Sequence, residues 1–123
     1  MDYRQTIANK YSVRDYKDKT IDAKTAKEIR DYARTCPKLV EDIAVDIRFM
    51  DYDMVYRQLD GFAGYKGIMI QAPHYAILLS EKKDHYIENA GYVGEGISLK
   101  ANELGVSSCW ITFEDSKTVI HKL

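Results

Sequence analysis

The amino-acid sequence predicts an α+β domain, and three observations carry that prediction. Residues 85–104 repeat small and apolar side chains at helical spacing over about five turns. Residues 43–50 alternate apolar and polar, and residues 74–80 form a short apolar run, the two patterns expected of strands. Further helical patterns at residues 2–9, 22–36 and 53–59 interleave with them in a chain of 123 residues, enough for one core but not for two. An apolar fraction of 46% and a charged fraction of 30% are those of a folded chain.

Taken in order, residues 2–9 fit a short helix, and Lys10-Tyr11-Ser12-Val13-Arg14-Asp15-Tyr16 follows with the alternation of an extended segment. Lys10, Ser12 and Arg14 stand at i, i+2 and i+4, so their side chains project to one side. Such a triplet can grip a phosphate or a polar ring edge through charge-assisted hydrogen bonds, and it can equally be a solvated edge strand. Asp22 is a good N-cap for the second helix, with Ile21 and Ala26 placed as a hydrophobic staple. Ala26, Ile29, Ala33 and Cys36 should form its buried face, and Pro37 stops it. In the first strand Ile43, Val45, Ile47 and Phe49 should point to the core, with Ala44, Asp46, Arg48 and Met50 turned away.

Asp53 is placed to cap a short helix through Leu59, and Gly61, Gly64 and Gly67 punctuate a loop whose large side chains are Phe62 and Tyr65. Ala72-Pro73 precedes the apolar run at 74–80, expected as a central strand. On the long helix, Ile87, Ala90, Val93, Gly94, Ile97, Ala101 and Leu104 share an arc, and Glu88, Glu95 and Asn102 form a stripe opposite. Ala90, Gly91, Gly94, Gly96, Ser98 and Ala101 remove bulk from this helix. Each glycine inside a helix costs roughly 0.5 to 1 kcal/mol against alanine, so close approach of a backbone, a ring or another subunit is expected there. Gly105 sits where a left-handed C′ residue is needed, and residues 106–111 read as a buried strand. A last helix should begin at Asp115 or Ser116; it stops at Leu123 without a cap, so the single domain over residues 1–123 is expected to be incomplete at its C-terminus.

A net charge of −1 with no long run of like charges argues against nucleic acid as a partner. No apolar run approaches the ~20 residues that span a bilayer, and no leader pattern follows Met1, so a cytoplasmic protein away from membranes is expected. Cys36 and Cys109 are far apart and sit in apolar contexts, as reduced core thiols would. His74, His85 and His121 lack metal-ligand spacing, and no nucleophile motif or phosphate-cradling loop is present. Catalysis, if the chain performs any, would draw its chemistry from a bound cofactor.

Three segments carry a family resemblance. Lys10-Tyr11-Ser12-Val13-Arg14-Asp15-Tyr16 resembles the R-x-S-x-R-x-F segment that opens FMN-dependent nitroreductases. Asn102-Glu103-Leu104-Gly105-Val106-Ser107-Ser108-Cys109-Trp110-Ile111 is similar to their A-x-x-L-G-L-G-T-C-W-I segment, and Gly67-Ile68-Met69-Ile70-Gln71-Ala72-Pro73 is similar to their G-A-P strand entry. The three occur in the family's order over nearly the whole chain, and the putative TM-type nitroreductases are the group it most resembles.

The resemblance implies a nitroreductase-like α+β fold: a central antiparallel sheet flanked by helices, in a homodimer whose core is the long helix. Ala90, Gly94, Ile97 and Ala101 would then lie near the two-fold axis. It implies FMN as cofactor, held by Lys10, Tyr11, Ser12 and Arg14 of the opening motif and by Trp110, Ile111, Thr112 and Phe113 beside the flavin ring. It implies an oxidoreductase that passes a hydride from NAD(P)H through flavin to a nitroaromatic, quinone or similar small acceptor, with no side-chain acid or base required. Lys10 replaces the family's first arginine, and the polar P-S-x-x-N-x-Q-P-W segment is absent after Cys36-Pro37-Lys38-Leu39-Val40. Those departures support an alternative: a non-catalytic dimeric module of the same fold with weakened or lost flavin binding.

Overall fold

The computed structural model describes residues 1–17, 19–64, 66 and 68–111; the helix expected from Asp115 or Ser116, the site residues Thr112 and Phe113, and Tyr65 and Gly67 of the glycine loop lie outside them. The described chain runs α1 (Tyr3–Asn9), α2 (Ala23–Thr35), β1 (Val45–Asp51), α3 (Tyr52–Leu59), β2 (His74–Ser80) and α4 (Tyr86–Glu103). The first two helix starts follow their capping residues, whereas α3 begins after Asp51, which makes no side-chain cap bond, so that Asp53, the expected cap, lies inside its first turn. Asp2 accepts from the Gln5 amide, and Asp22 accepts from both the amide and the hydroxyl of Thr25, at 2.9 and 2.8 Å.

β1 and β2 pair antiparallel, from Val45 opposite Ser80 to Asp51 opposite His74. The ribbon is covered on both faces. Val45, Ile47 and Leu78 pack with Ile29 of α2 and Val93, Ile97 and Ala101 of α4, while Met50, Tyr75 and Ile77 pack with Val55 and Leu59 of α3 and Ala63 and Met69 of the following loop. This double cover corrects the first strand's expected pattern. Met50 enters the second cluster instead of facing solvent, because α3 lies over the very face that alternation assigned to water, and Phe49, expected in the core, is 36% exposed.

α4 ends as predicted. Gly105 has φ +83°, its amide donates to the Asn102 carbonyl at 3.0 Å, and the Val106 amide donates to the Ala101 carbonyl at 2.8 Å. This paired closure leaves no strand at residues 106–111, contrary to expectation. The chain turns back along α4, where, among the described residues, its one backbone link to the opening segment is the Val13 amide donating to the Ser108 carbonyl at 3.2 Å. The buried arc of α4 is also narrower than periodicity suggests: Ile87 is 67% exposed. Ile97 and Ala101 are buried among residues of their own chain, with Ile29 and Val93. Cys36 and Cys109 are free thiols, as expected, but half-buried rather than in the core.

Asn89 is the polar residue at the centre of this arrangement, with no exposed surface. Its Oδ1 accepts from the Leu39 and Val40 amides at 3.0 and 2.8 Å and so ties the loop after α2 to α4. Replacing Asn89 by alanine strands two backbone donors that have left water, so Asn89→Ala should lower stability by about 2 to 4 kcal/mol. Urea denaturation measures it; a loss below about 0.5 kcal/mol would mean that water replaces the amide without penalty.

Candidate functional site

The opening segment leaves α1 at Lys10, whose backbone is extended (φ −77°, ψ 135°) and whose amide closes the helix on the Thr6 carbonyl. From the other end of the sequence, residues 106–111 run back beside α4. The two segments meet at one carboxylate: Glu95 Oε1 lies 3.3 Å from Lys10 Nζ, and Glu95 Oε2 accepts from Trp110 Nε1 at 3.0 Å. Ser98 and Ser108 share a hydrogen bond of 2.5 Å one turn further along the helix. Gly94 is small for a local reason, since a Cβ there would collide with the Trp110 ring. Part of the small-residue face of α4 is therefore filled by an aromatic ring of the same chain.

The predicted residues thus fall into two groups. Lys10 and Trp110 are brought together through Glu95, and Ile111 packs onto the cluster around Val55 and Tyr75. Tyr11, Ser12 and Arg14 are exposed, with no hydrogen bond or ion pair to another described residue. Lys10 does not stand free beside them: its side chain is 13% exposed and its charge is met by Glu95. Sequence reasoning placed Glu95 on a solvent stripe and missed it. The usable signal was its position next to Gly94, the residue whose missing side chain admits the ring that Glu95 then holds.

Tyr16 closes the opening segment against the same region. Burial first, and then the nearby Cys109 and Tyr75, push its phenol up to about 12, with Arg14 opposing. His74 joins the other end of the opening region to the sheet. Its Nε2 accepts from the Ile21 amide at 2.9 Å, and its Nδ1 lies 3.3 Å from Asp51. Two surface clefts, of about 250 and 280 Å³, lie elsewhere, against α2 and β1 and between α1 and α4, and neither is lined by Lys10, Ser12, Arg14 or Trp110. Among the described residues no group of histidine, cysteine and acidic side chains could hold a metal ion, and no helix is long and apolar enough to cross a membrane.

The Tyr16 phenol gives a pH prediction with a definite sign. A pKa raised from 10.0 to about 12 means that the folded state favours the protonated form, so the contribution is whole below pH 10 and is lost as pH rises through 12. The urea midpoint should therefore fall more steeply between about pH 9 and about pH 11 in the parent than in Tyr16→Phe. Parallel curves would place Tyr16 in water; Tyr32, also raised to about 12, keeps its own contribution in both proteins.

The family model described as "Putative TM nitroreductase" matches residues 2–122. A nitroreductase family protein from Clostridium novyi NT superposes with a TM-score of 0.82 at 15% identity, over 98% of this chain and 76% of that one. A nitroreductase family protein from Clostridium difficile 630 gives 0.80 at 17% identity, over 99% and 74%. An FMN-dependent nitroreductase from Clostridium difficile R20291 gives 0.75 at 22% identity, over 95% and 75%. These likenesses establish a shared fold. No curated protein sequence matches.

Proposed function

The chain belongs to the nitroreductase family whose model it matches, and from that premise we propose that it is an FMN-dependent oxidoreductase working as one domain in a homodimer. The observation that supports this most is the meeting of the opening segment and residues 106–111 at Glu95, since these are the two stretches that the resemblance assigns to the cofactor. The donor set suits a flavin mononucleotide. Arg14 and Ser12 are exposed and make no hydrogen bond or ion pair with another described residue, and so are available to a phosphate or a polyhydroxylated chain, while the returning segment that the Val13 amide joins to theirs carries an indole and Ile111 for an apolar ring. Thr112 and Phe113 complete the proposed set with Lys10 and Tyr11.

When bound, FMN supplies two-electron transfer from NAD(P)H to a small nitroaromatic, quinone or similar acceptor. The chain's part is to hold and orient. Arg14 supplies fixed positive charge, Ser12 a hydroxyl that can donate or accept, and Trp110 a flat apolar wall. A cytoplasmic setting without nucleic acid or membrane partners goes with this reading. A second reading, a non-catalytic module of the same fold, is favoured by the pairing of Lys10 with Glu95 and by a loop after α2 whose amides are occupied by Asn89.

Two measurements test the proposal. Purified protein should show the visible absorption bands of a flavin or take up FMN to give them, and Arg14→Ala should bind FMN about tenfold or more weakly with an unchanged circular dichroism spectrum. No uptake by the parent supports the module instead, and equal affinities remove Arg14 from the site.

For the homodimer, Gly91 is the position that matters, because a Cβ there meets open space and the neighbouring Ile87 and Tyr92 are 67% and 50% exposed. Gly91→Leu should weaken self-association by at least about fivefold, since overpacking a close contact costs about 1 to 3 kcal/mol. A parent that sediments as a monomer at micromolar concentration would sink the dimer.

A further inference from the structure

Resting on the flavin reading above, we infer that Glu95 is a positioning residue of the cofactor site, holding Lys10 and Trp110 in fixed relation through the two oxygens of one carboxylate. Nothing else among the described residues joins these side chains. They come from segments a hundred positions apart, and each takes a separate oxygen of Glu95, at 3.3 and 3.0 Å, so neither interaction displaces the other. The carboxylate is itself held at a fixed height on α4. Gly94 beneath it leaves no room for a side chain under the Trp110 ring, and the Ser98 to Ser108 hydrogen bond fixes the returning chain one turn away.

The chemistry of the two bonds differs, and that difference makes the role separable. Lys10 needs a negative charge from its partner, whereas the indole N–H needs only an acceptor oxygen. Glu95→Gln therefore keeps the Trp110 bond and gives up most of the Lys10 bond, and Glu95→Ala gives up both. With the anchor gone, the lysine stem and the ring each recover rotamer freedom that cofactor binding must then remove. The side chain of Glu95 is 42% exposed, so its loss should leave the fold in place.

Trp110 is the single tryptophan of the chain, so its emission reports this contact without any flavin present. In flavin-free protein, Glu95→Ala should shift the emission to longer wavelength and raise acrylamide quenching about twofold, while Glu95→Gln stays near the parent. FMN titration should then rank the proteins parent, Gln, Ala, with losses of about threefold and about tenfold. Parent-like emission and quenching in Glu95→Ala would overturn the inference, as would altered emission with unchanged FMN affinity. So would tighter FMN binding by Glu95→Gln, which would mean that Glu95 withholds Lys10 from the phosphate. Should Glu95→Ala fail to fold by circular dichroism, Glu95→Gln decides alone: weaker binding with parent-like emission supports the role, and parent-like or tighter binding overturns it. Flat titrations for the parent and every variant would instead overturn the flavin reading itself, and the site role with it.

Discussion

The reversal of the chain at Gly105 is the constraint on which the candidate site depends. A left-handed residue there lets the Gly105 and Val106 amides close on α4 carbonyls, and the closure sends the following residues back along the helix they have just left. Ser108 then reaches Ser98, and about one turn nearer the helix N-terminus the Trp110 ring lies on Gly94 while its indole N–H finds Glu95. A helix that ended without this turn would carry residues 106–111 away from the opening segment, and Lys10 would lose the neighbourhood that makes it more than a surface cation.

Much of the fold was legible because local chemistry decides it. Asp2 and Asp22 announce two helix starts through their own side-chain bonds, Gly105 announces a helix end, and the run at 74–80 announces a strand by its apolar continuity. What periodicity cannot show is which neighbour covers a face. Met50 is covered where alternation left it to water because α3 lies over that side of the ribbon, and Phe49 is exposed where alternation put it in the core. Residues 106–111 look like a strand by composition, yet a strand needs a ladder, and the described structure gives this stretch a single backbone bond to the opening segment. Glu95 and Asn89 were illegible for a related reason. A carboxylate and an amide on a helix read as solvent-facing until the chain that comes to meet them is known.

The small residues of α4 illustrate how one pattern can serve separate ends. Gly94 makes room for a ring of the same chain, whereas Gly91 leaves backbone open beside Ile87 and Tyr92. Ile97 and Ala101 are occupied in the core with Ile29. Gly94 and the exposed Ile87 lie on nearly the same side of the helix about two turns apart, so the ring-bearing stretch and the open stretch are separated along the helix and not around it.

The central claim is that residues 10–14 and 106–111 together form a flavin site whose ring lies beside Trp110. Its most direct test is to add FMN to the flavin-free parent and follow the emission of this single tryptophan. The account predicts saturable quenching that ends at one flavin per chain, with a midpoint matching the change in the flavin's own absorption. Flavin uptake that leaves Trp110 emission unchanged would contradict it.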